Sequence, residues 1–141
     1  MSSCNCTIAL FGNISNINWR IEGIVIKQGT DNPDEVVPEN QITVIDTGNI
    51  LKGIIYLKYD ETIIIKEGDS NFYFGFYNQY QWELKDNDFI LFKRFGNDGR
   101  IIQSFGYNVR FTSDDKMQWF IESTGIESGK KSLRIITLYH Q

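Results

Sequence analysis

The sequence predicts an all-β fold, a single antiparallel β-sandwich spanning residues 1–141. Three observations predict it. Alanine occurs once, at Ala9, while isoleucine is abundant, so the chain lacks the best helix former and favours pleated surfaces. Several stretches alternate with period two, and no i, i+3, i+4, i+7 pattern runs for the length of a helix. Turn signals recur about every ten residues, as short strands require.

The expected strands cover 6–12, 18–27, 41–46, 52–59, 62–67, 71–77, 88–95, 100–105, 107–112, 117–123 and 132–139. The first is an apolar run stopped by Gly12-Asn13. The second ends before Gly29-Thr30-Asp31-Asn32-Pro33-Asp34. Pro33 and Pro38 share one loop, where they remove no ladder donor, and the third strand follows them. That strand stops at Asp46-Thr47-Gly48-Asn49. Asp60-Glu61 separates the next pair and suggests a hairpin; Glu67-Gly68-Asp69 ends it. In 71–77, Phe72, Phe74 and Phe76 share one face, with Tyr73, Gly75 and Tyr77 on the other. Asn97-Asp98-Gly99 predicts a tight hairpin between 88–95 and 100–105. Ser113-Asp114-Asp115 and Glu127-Ser128-Gly129 bound 117–123, where Trp119 and Ile121 alternate with Phe120 and Glu122. In the last strand Leu133 and Ile135 alternate with Arg134 and Ile136. So many strands in one small domain imply two packed antiparallel sheets, with 72–76 and 119–121 turned to the shared interior.

Charge and composition narrow the function. Fourteen basic residues against 18 acidic give net −4, which argues against nucleic acid, since duplex binding needs clustered Lys and Arg. It also argues against adhesion to anionic lipid by bulk charge. No apolar run is long enough for a helix across a bilayer. The start, Met1-Ser2-Ser3-Cys4-Asn5-Cys6, has no basic region or long apolar stretch, so no signal peptide is expected. The expectation is synthesis in the cytoplasm and action outside the cell or on a target membrane. Cys4 and Cys6 are too close for an unstrained bridge and are expected as free thiols.

Enzyme motifs are absent: there is no P-loop, no G-x-S-x-G and no H-E-x-x-H, and the chain is not expected to be an enzyme. His140 is next to last, where a fraying end holds no base. Asp46, Asp60, Glu83, Asp86 and Asp88 could pair for glycoside chemistry, but solvated loop charge explains them better. Asp86-Asn87-Asp88 and Asp114-Asp115 lack the glycine and distal glutamate of an EF-hand. No metal and no cofactor are expected. Asn5-Cys6-Thr7 and Asn13-Ile14-Ser15 match the glycosylation pattern, which arises often by chance.

The segment Phe72-Tyr73-Phe74-Gly75-Phe76-Tyr77-Asn78-Gln79-Tyr80-Gln81-Trp82 is the richest in chemistry. A strand at 72–77 leads into a loop at 78–82. Tyr77, Tyr80 and Trp82 then offer apolar rings with polar tips, suited to a lipid headgroup boundary or a sugar face. Asn78 and Gln79 offer neutral amides to a phosphate or a sugar. The alternative is that these rings belong to the core.

The chain resembles the aegerolysins, small acidic β-sandwich proteins of fungi and bacteria with lipid-binding, haemolytic or insecticidal members. The resemblance rests on Thr7-Ile8-Ala9-Leu10-Phe11-Gly12-Asn13-Ile14-Ser15, on Arg20-Ile21-Glu22-Gly23 with Lys27-Gln28-Gly29, and on Val37-Pro38-Glu39-Asn40-Gln41-Ile42-Thr43-Val44 followed by Thr47-Gly48-Asn49 and Gly53. Near the end, Gln118-Trp119-Phe120-Ile121-Glu122-Ser123-Thr124-Gly125 and Ser128-Gly129 through Leu133-Arg134-Ile135 resemble the closing hairpin. Fungal members carry a Trp-Asp-Cys-Pro-Trp-like loop where this chain has Tyr77-Asn78-Gln79-Tyr80-Gln81-Trp82, so the likeness is to the bacterial insecticidal branch. The segment 88–112 is long for the family. The chain also resembles actinoporins and the related fruit-body lectins through its aromatic segment.

The resemblance implies a membrane-lipid-binding cytolysin or insecticidal protein. Its target would be a neutral or zwitterionic headgroup. Rupture would need a larger pore-forming protein as partner or a homo-oligomer. The other classes in view are a carbohydrate-binding lectin and a structural or crystal-forming protein.

Overall fold

A computed structural model describes residues 13–45, 53–67, 80–86, 88–124 and 129–140. The strands expected at 6–12 and 71–77 lie outside the described residues, as do Cys4, Cys6, Tyr77, Asn78 and Gln79.

The described residues form β1 (Asn18–Gln28), a 3-10 turn (Glu39–Gln41), β2 (Ile42–Ile45), β3 (Ile54–Leu57), β4 (Ile63–Glu67), β5 (Tyr80–Lys85), β6 (Phe89–Phe95), β7 (Ile101–Ser113), β8 (Lys116–Thr124) and β9 (Lys131–His140). The fold is all-β and every ladder is antiparallel. Hydrogen bonding joins the nine strands into one continuous sheet in the order β4-β3-β1-β9-β8-β7-β6-β5, with β2 beside β1. This is consistent with the expected all-β, sandwich-like fold, with hydrogen bonding running through all nine strands where two separate sheets were expected. The edges of the sheet touch at one bridge, Thr62 to Gln81, and the Trp82 amide donates to the Glu61 carbonyl at 2.9 Å. Among the described residues no ladder follows this bridge and no barrel closes. No helix among the described residues is long and apolar enough to cross a membrane.

Alternation decides which side chains face inward. On β9 the inward row is Arg134, Ile136 and Leu138, because Ile136 pairs with Ile24 on one side and Trp119 on the other. Ile24, Ile136, Trp119, Val109, Met117 and Leu138 are core residues. A bulge at Glu22 resets the phase of β1, so that Trp19 and Ile21 as well as Ile24 reach the core. The three tryptophans are buried and their ring N–H groups all find acceptors. Trp19 donates to the Ile14 carbonyl at 2.9 Å, Trp82 to the Lys58 carbonyl at 2.9 Å, and Trp119 to Met117 Sδ at 3.3 Å. A buried donor without an acceptor would cost about 1–3 kcal/mol.

The outer face of β1, β9, β8 and β7 has its own cover. Leu133 and Ile135 point away from Ile136, yet both are buried. The loop after β1 is tied across them. Lys27 Nζ donates to the Pro33 carbonyl at 2.8 Å and the Glu35 carbonyl at 3.0 Å. Arg110 grips Asp34 through both terminal nitrogens, at 2.8 and 2.7 Å. Val37 is buried in the same loop.

Two boundary expectations change. The stretches 100–105 and 107–112 are one strand, β7, because Gly106 continues the ladder opposite Leu91. The penultimate His140 does not fray: it ends β9 opposite Trp19, with the ring centroids 5.9 Å apart, and its amide donates to the Asp115 carbonyl.

Candidate functional site

Tyr80 and Trp82 are not loop aromatics. They begin β5, in which Tyr80 and Trp82 face inward while Gln81 is exposed. The ladder sets Trp82 opposite Phe92 and Tyr80 opposite Arg94. Trp82 retains 1% of its accessible surface and Tyr80 5%. The reason is visible in their spacing. Tyr80, Trp82 and Leu84 alternate with Gln81, Glu83 and Lys85, a half-buried strand pattern that the preceding amides obscured. Of the expected docking residues, Tyr80 and Trp82 are core, and Tyr77, Asn78 and Gln79 lie outside the described residues.

The rings of this region pack on one another. Tyr80 meets Phe105 edge-on at 5.2 Å, and Phe105 stacks on Phe92 at 5.2 Å. Phe92 approaches Trp119 at 5.6 Å, and Trp119 stacks on Tyr107 at 5.9 Å and 26°. The chain of rings thus runs from the β5 edge to Tyr107.

Tyr107 opens on a cavity that combines apolar walls with a cation. Its lining is Ile26, Tyr107, Ile121, Ser123, Ser132 and Arg134, and its volume is about 300 Å³. That lies at the lower end for small-molecule sites. Register explains how these side chains meet. Arg134 pairs with Ile26 on one flank and with Ile121 on the other, so the three form one inward rung. The next rung outward pairs Ser132 with Gln28 and with Ser123. The rung further in is Ile24, Ile136 and Trp119, which is sealed.

The cavity also sits at a fork. β7 and β8 pair from Asn108↔Phe120 to Ser113↔Lys116. Beyond that, among the described residues, 101–107 pairs with β6 and 121–124 with β9. The strands part beside Tyr107 and Ile121.

Arg134 donates a hydrogen bond to the Tyr107 hydroxyl. Burial pushes the Tyr107 hydroxyl above its ordinary range, while the Arg134 charge and this hydrogen bond oppose the rise. Tyr107 is therefore a neutral phenol at physiological pH, able to donate to a ligand while accepting from Arg134. Among the described residues no carboxylate pairs with Arg134. A phosphate or carboxylate entering here would meet a planar guanidinium, two serine hydroxyls and a phenol. Composition did not point to this site. The available signal was a cation on the buried phase of β9, in Arg134-Ile135-Ile136.

The other hollows are less suited. One of about 110 Å³ lies on the outer face at Glu61, Gln81, Trp82, Glu83, Lys93 and Phe95, where Glu83 is already paired with Lys93. A broad groove of about 520 Å³ is lined by Gln28, Gly29, Asn40, Gln41 and Lys130, with no aromatic ring among the described residues. The acidic candidates do not converge. Asp60 caps its own turn through the Thr62 amide and hydroxyl. Asp86 and Asp88 are exposed at the β5–β6 connection, and Asp46 lies outside the described residues. Among the described residues no three His, Cys, Asp or Glu side chains gather as metal ligands.

Compared with known proteins, the chain matches no family model, no curated protein and no solved structure.

Proposed function

We propose that this chain is a binding protein for a phosphate-bearing, zwitterionic lipid headgroup, held in the cavity of Tyr107, Ser123, Ser132 and Arg134. The observation that carries the reading is Arg134, a guanidinium on an inward rung between Ile26 and Ile121 whose described partner is a phenol. A partly buried cation is costly unless a counter-charge meets it. Phosphate supplies that charge with the bidentate geometry a guanidinium favours. The walls of Ile26 and Ile121 suit the apolar part of a lipid, and net −4 for the whole chain disfavours attachment to an anionic surface.

The resemblance to aegerolysins extends the proposal to its consequence. Binding would lead to cytolysis or insect toxicity, with rupture delivered through a larger pore-forming partner or an oligomer. Tyr80 and Trp82 have no part in docking, since both are core.

Calorimetric titration with soluble phosphocholine tests the proposal. The wild type should bind, and Arg134→Gln should weaken binding roughly ten- to a hundredfold, the range for a charge-assisted hydrogen-bonding group. Binding unchanged in Arg134→Gln, with the fold intact, rejects this cavity as the site. A glycan-binding module is the second reading, favoured by the amides of Gln28, Asn40 and Gln41 in the broad groove. Displacement by free sugar, with no response to phosphocholine, would select it.

A further inference from the structure

The hairpin joining β6 to β7 carries three exposed apolar side chains at its tip. Phe95 is 39% exposed, Ile101 50% and Ile102 57%. They share one face. Phe95 pairs with Ile101, and the ladder then skips Ile102, a bulge that turns two successive side chains to the same side. Ile102 lies against Gly96, where an added Cβ would meet its Cγ2 at 3.2 Å, so the cluster wraps over the turn. The turn itself, Asn97-Asp98-Gly99-Arg100, is exposed, and its charges offset each other, with Arg100 Nε 3.7 Å from Asp98.

Position gives the cluster its meaning. The tip belongs to the arm of β7 that has parted from β8, and Tyr107 stands on the same strand at the base of that arm. The ends of β8 and β1 and the start of β9, with Ser123, Ser132 and Arg134, open at the same end of the sheet. The apolar tip thus lies at the same end of the sheet as the headgroup cavity, on the outer face where the cavity is on the inner one.

We infer that the β6–β7 hairpin tip is an interfacial anchor for a zwitterionic bilayer, with Phe95, Ile101 and Ile102 entering the boundary between headgroups and acyl chains. This rests in part on the headgroup reading, which supplies the direction of approach. A tip without net charge on an acidic chain suits a surface without net charge, and exposed apolar side chains on a narrow projection suit shallow burial in lipid. Arg100 can turn from Asp98 to a lipid phosphate as the tip enters.

The test is sedimentation with phosphatidylcholine vesicles, comparing wild type with Ile101→Ser/Ile102→Ser. Both positions are exposed, so thermal unfolding should be unchanged. The double variant should partition roughly thirtyfold more weakly, as expected for two half-exposed isoleucines that would otherwise be buried in lipid. It should bind soluble phosphocholine as the wild type does. Equal sedimentation of the two proteins overturns the anchor while leaving the headgroup cavity standing. A wild type that ignores phosphocholine but needs Ile101 and Ile102 for vesicles keeps the anchor and removes the cavity. Failure of the wild type to sediment at all overturns the anchor. So does a double variant that differs only in self-association, because the tip would then cover a second copy of the chain.

Discussion

The turn from Lys58 to Thr62 and the turn from Gly96 to Arg100 share one hydrogen-bond frame. In each the first amide donates to the fifth carbonyl at 2.8 Å, and the fourth amide donates to the first carbonyl at 3.0 Å. In each an aspartate at the third position accepts the fifth amide at 3.1 Å. In each the aspartate lies 3.7 Å from a cation of the same turn. The fourth residue is left-handed in both, at φ 74° for Glu61 and 80° for Gly99. Their surroundings differ. The Lys58–Thr62 turn is clasped, because Trp82 takes the Lys58 carbonyl with its ring and the Glu61 carbonyl with its amide, while Asn16 Oδ1 accepts the Tyr59 amide. The Gly96–Arg100 turn stands in solvent between Phe95 and Ile101. Where tertiary contacts hold the frame, a glutamate is tolerated in a conformation that favours glycine. Where no described residue holds it, the turn supplies its own glycine, and its flanking apolar side chains are left exposed.

The largest way to break this contrast is at the clasp. Trp82→Ala should cost roughly 3–5 kcal/mol in chemical denaturation, because a fully buried ring and the seam between β4 and β5 are lost together. A cost under ~1 kcal/mol, typical of exposed positions, would mean that β5 is not where we place it. On the arm, Gly106→Ala should cost about 1–3 kcal/mol, since its Cβ would enter the Phe89 ring and the Ile90 carbonyl. Gly99→Ala meets no neighbour, so its cost of about 1–2 kcal/mol is backbone strain alone. Glu61→Gly should go the other way, by about 0.5 kcal/mol, because relief of left-handed strain exceeds the added chain entropy. If Gly99→Ala is neutral and Glu61→Gly destabilises, the two turns are not equivalent frames.

The smallest effect is acid-dependent. The Thr62 hydroxyl and amide hold the Asp60 carboxyl below its ordinary range, and Arg110 does the same for Asp34. A carboxylate depressed by folding contributes stability above its unfolded value and loses it as pH falls through the folded one. Melting temperature should therefore fall on acidification below about pH 4, and Asp60→Asn should fall less than wild type over that interval. Identical acid profiles would show that the Asp60 cap contributes nothing.

The strands β8 and β9 were legible because their alternation is unbroken and turns flank them. The Asp98-Gly99 and Asp60-Glu61 hairpins were legible because the frame needs an aspartate locally to accept the fifth amide. The fate of Tyr80 and Trp82 was not, because a strand's buried phase and a loop's display of rings look alike until a partner strand is known. Here that partner is Phe92, ten residues on. Arg134 was harder still. What makes it a site is the register that sets it beside Ile26 and Ile121 and the parting of β7 from β8, and neither is a local property. The single continuous sheet was hidden for the same reason, since strand order depends on pairings between distant segments.

The most direct measurement is amide chemical-shift mapping during titration with soluble phosphocholine. Perturbations should cluster at Ile26, Tyr107, Ile121, Ser123, Ser132 and Arg134, and the amides of β5, with Trp82 in the sealed core, should stay still. Shifts centred on β5, or none at the six positions, would contradict a headgroup site at the fork between β7 and β8.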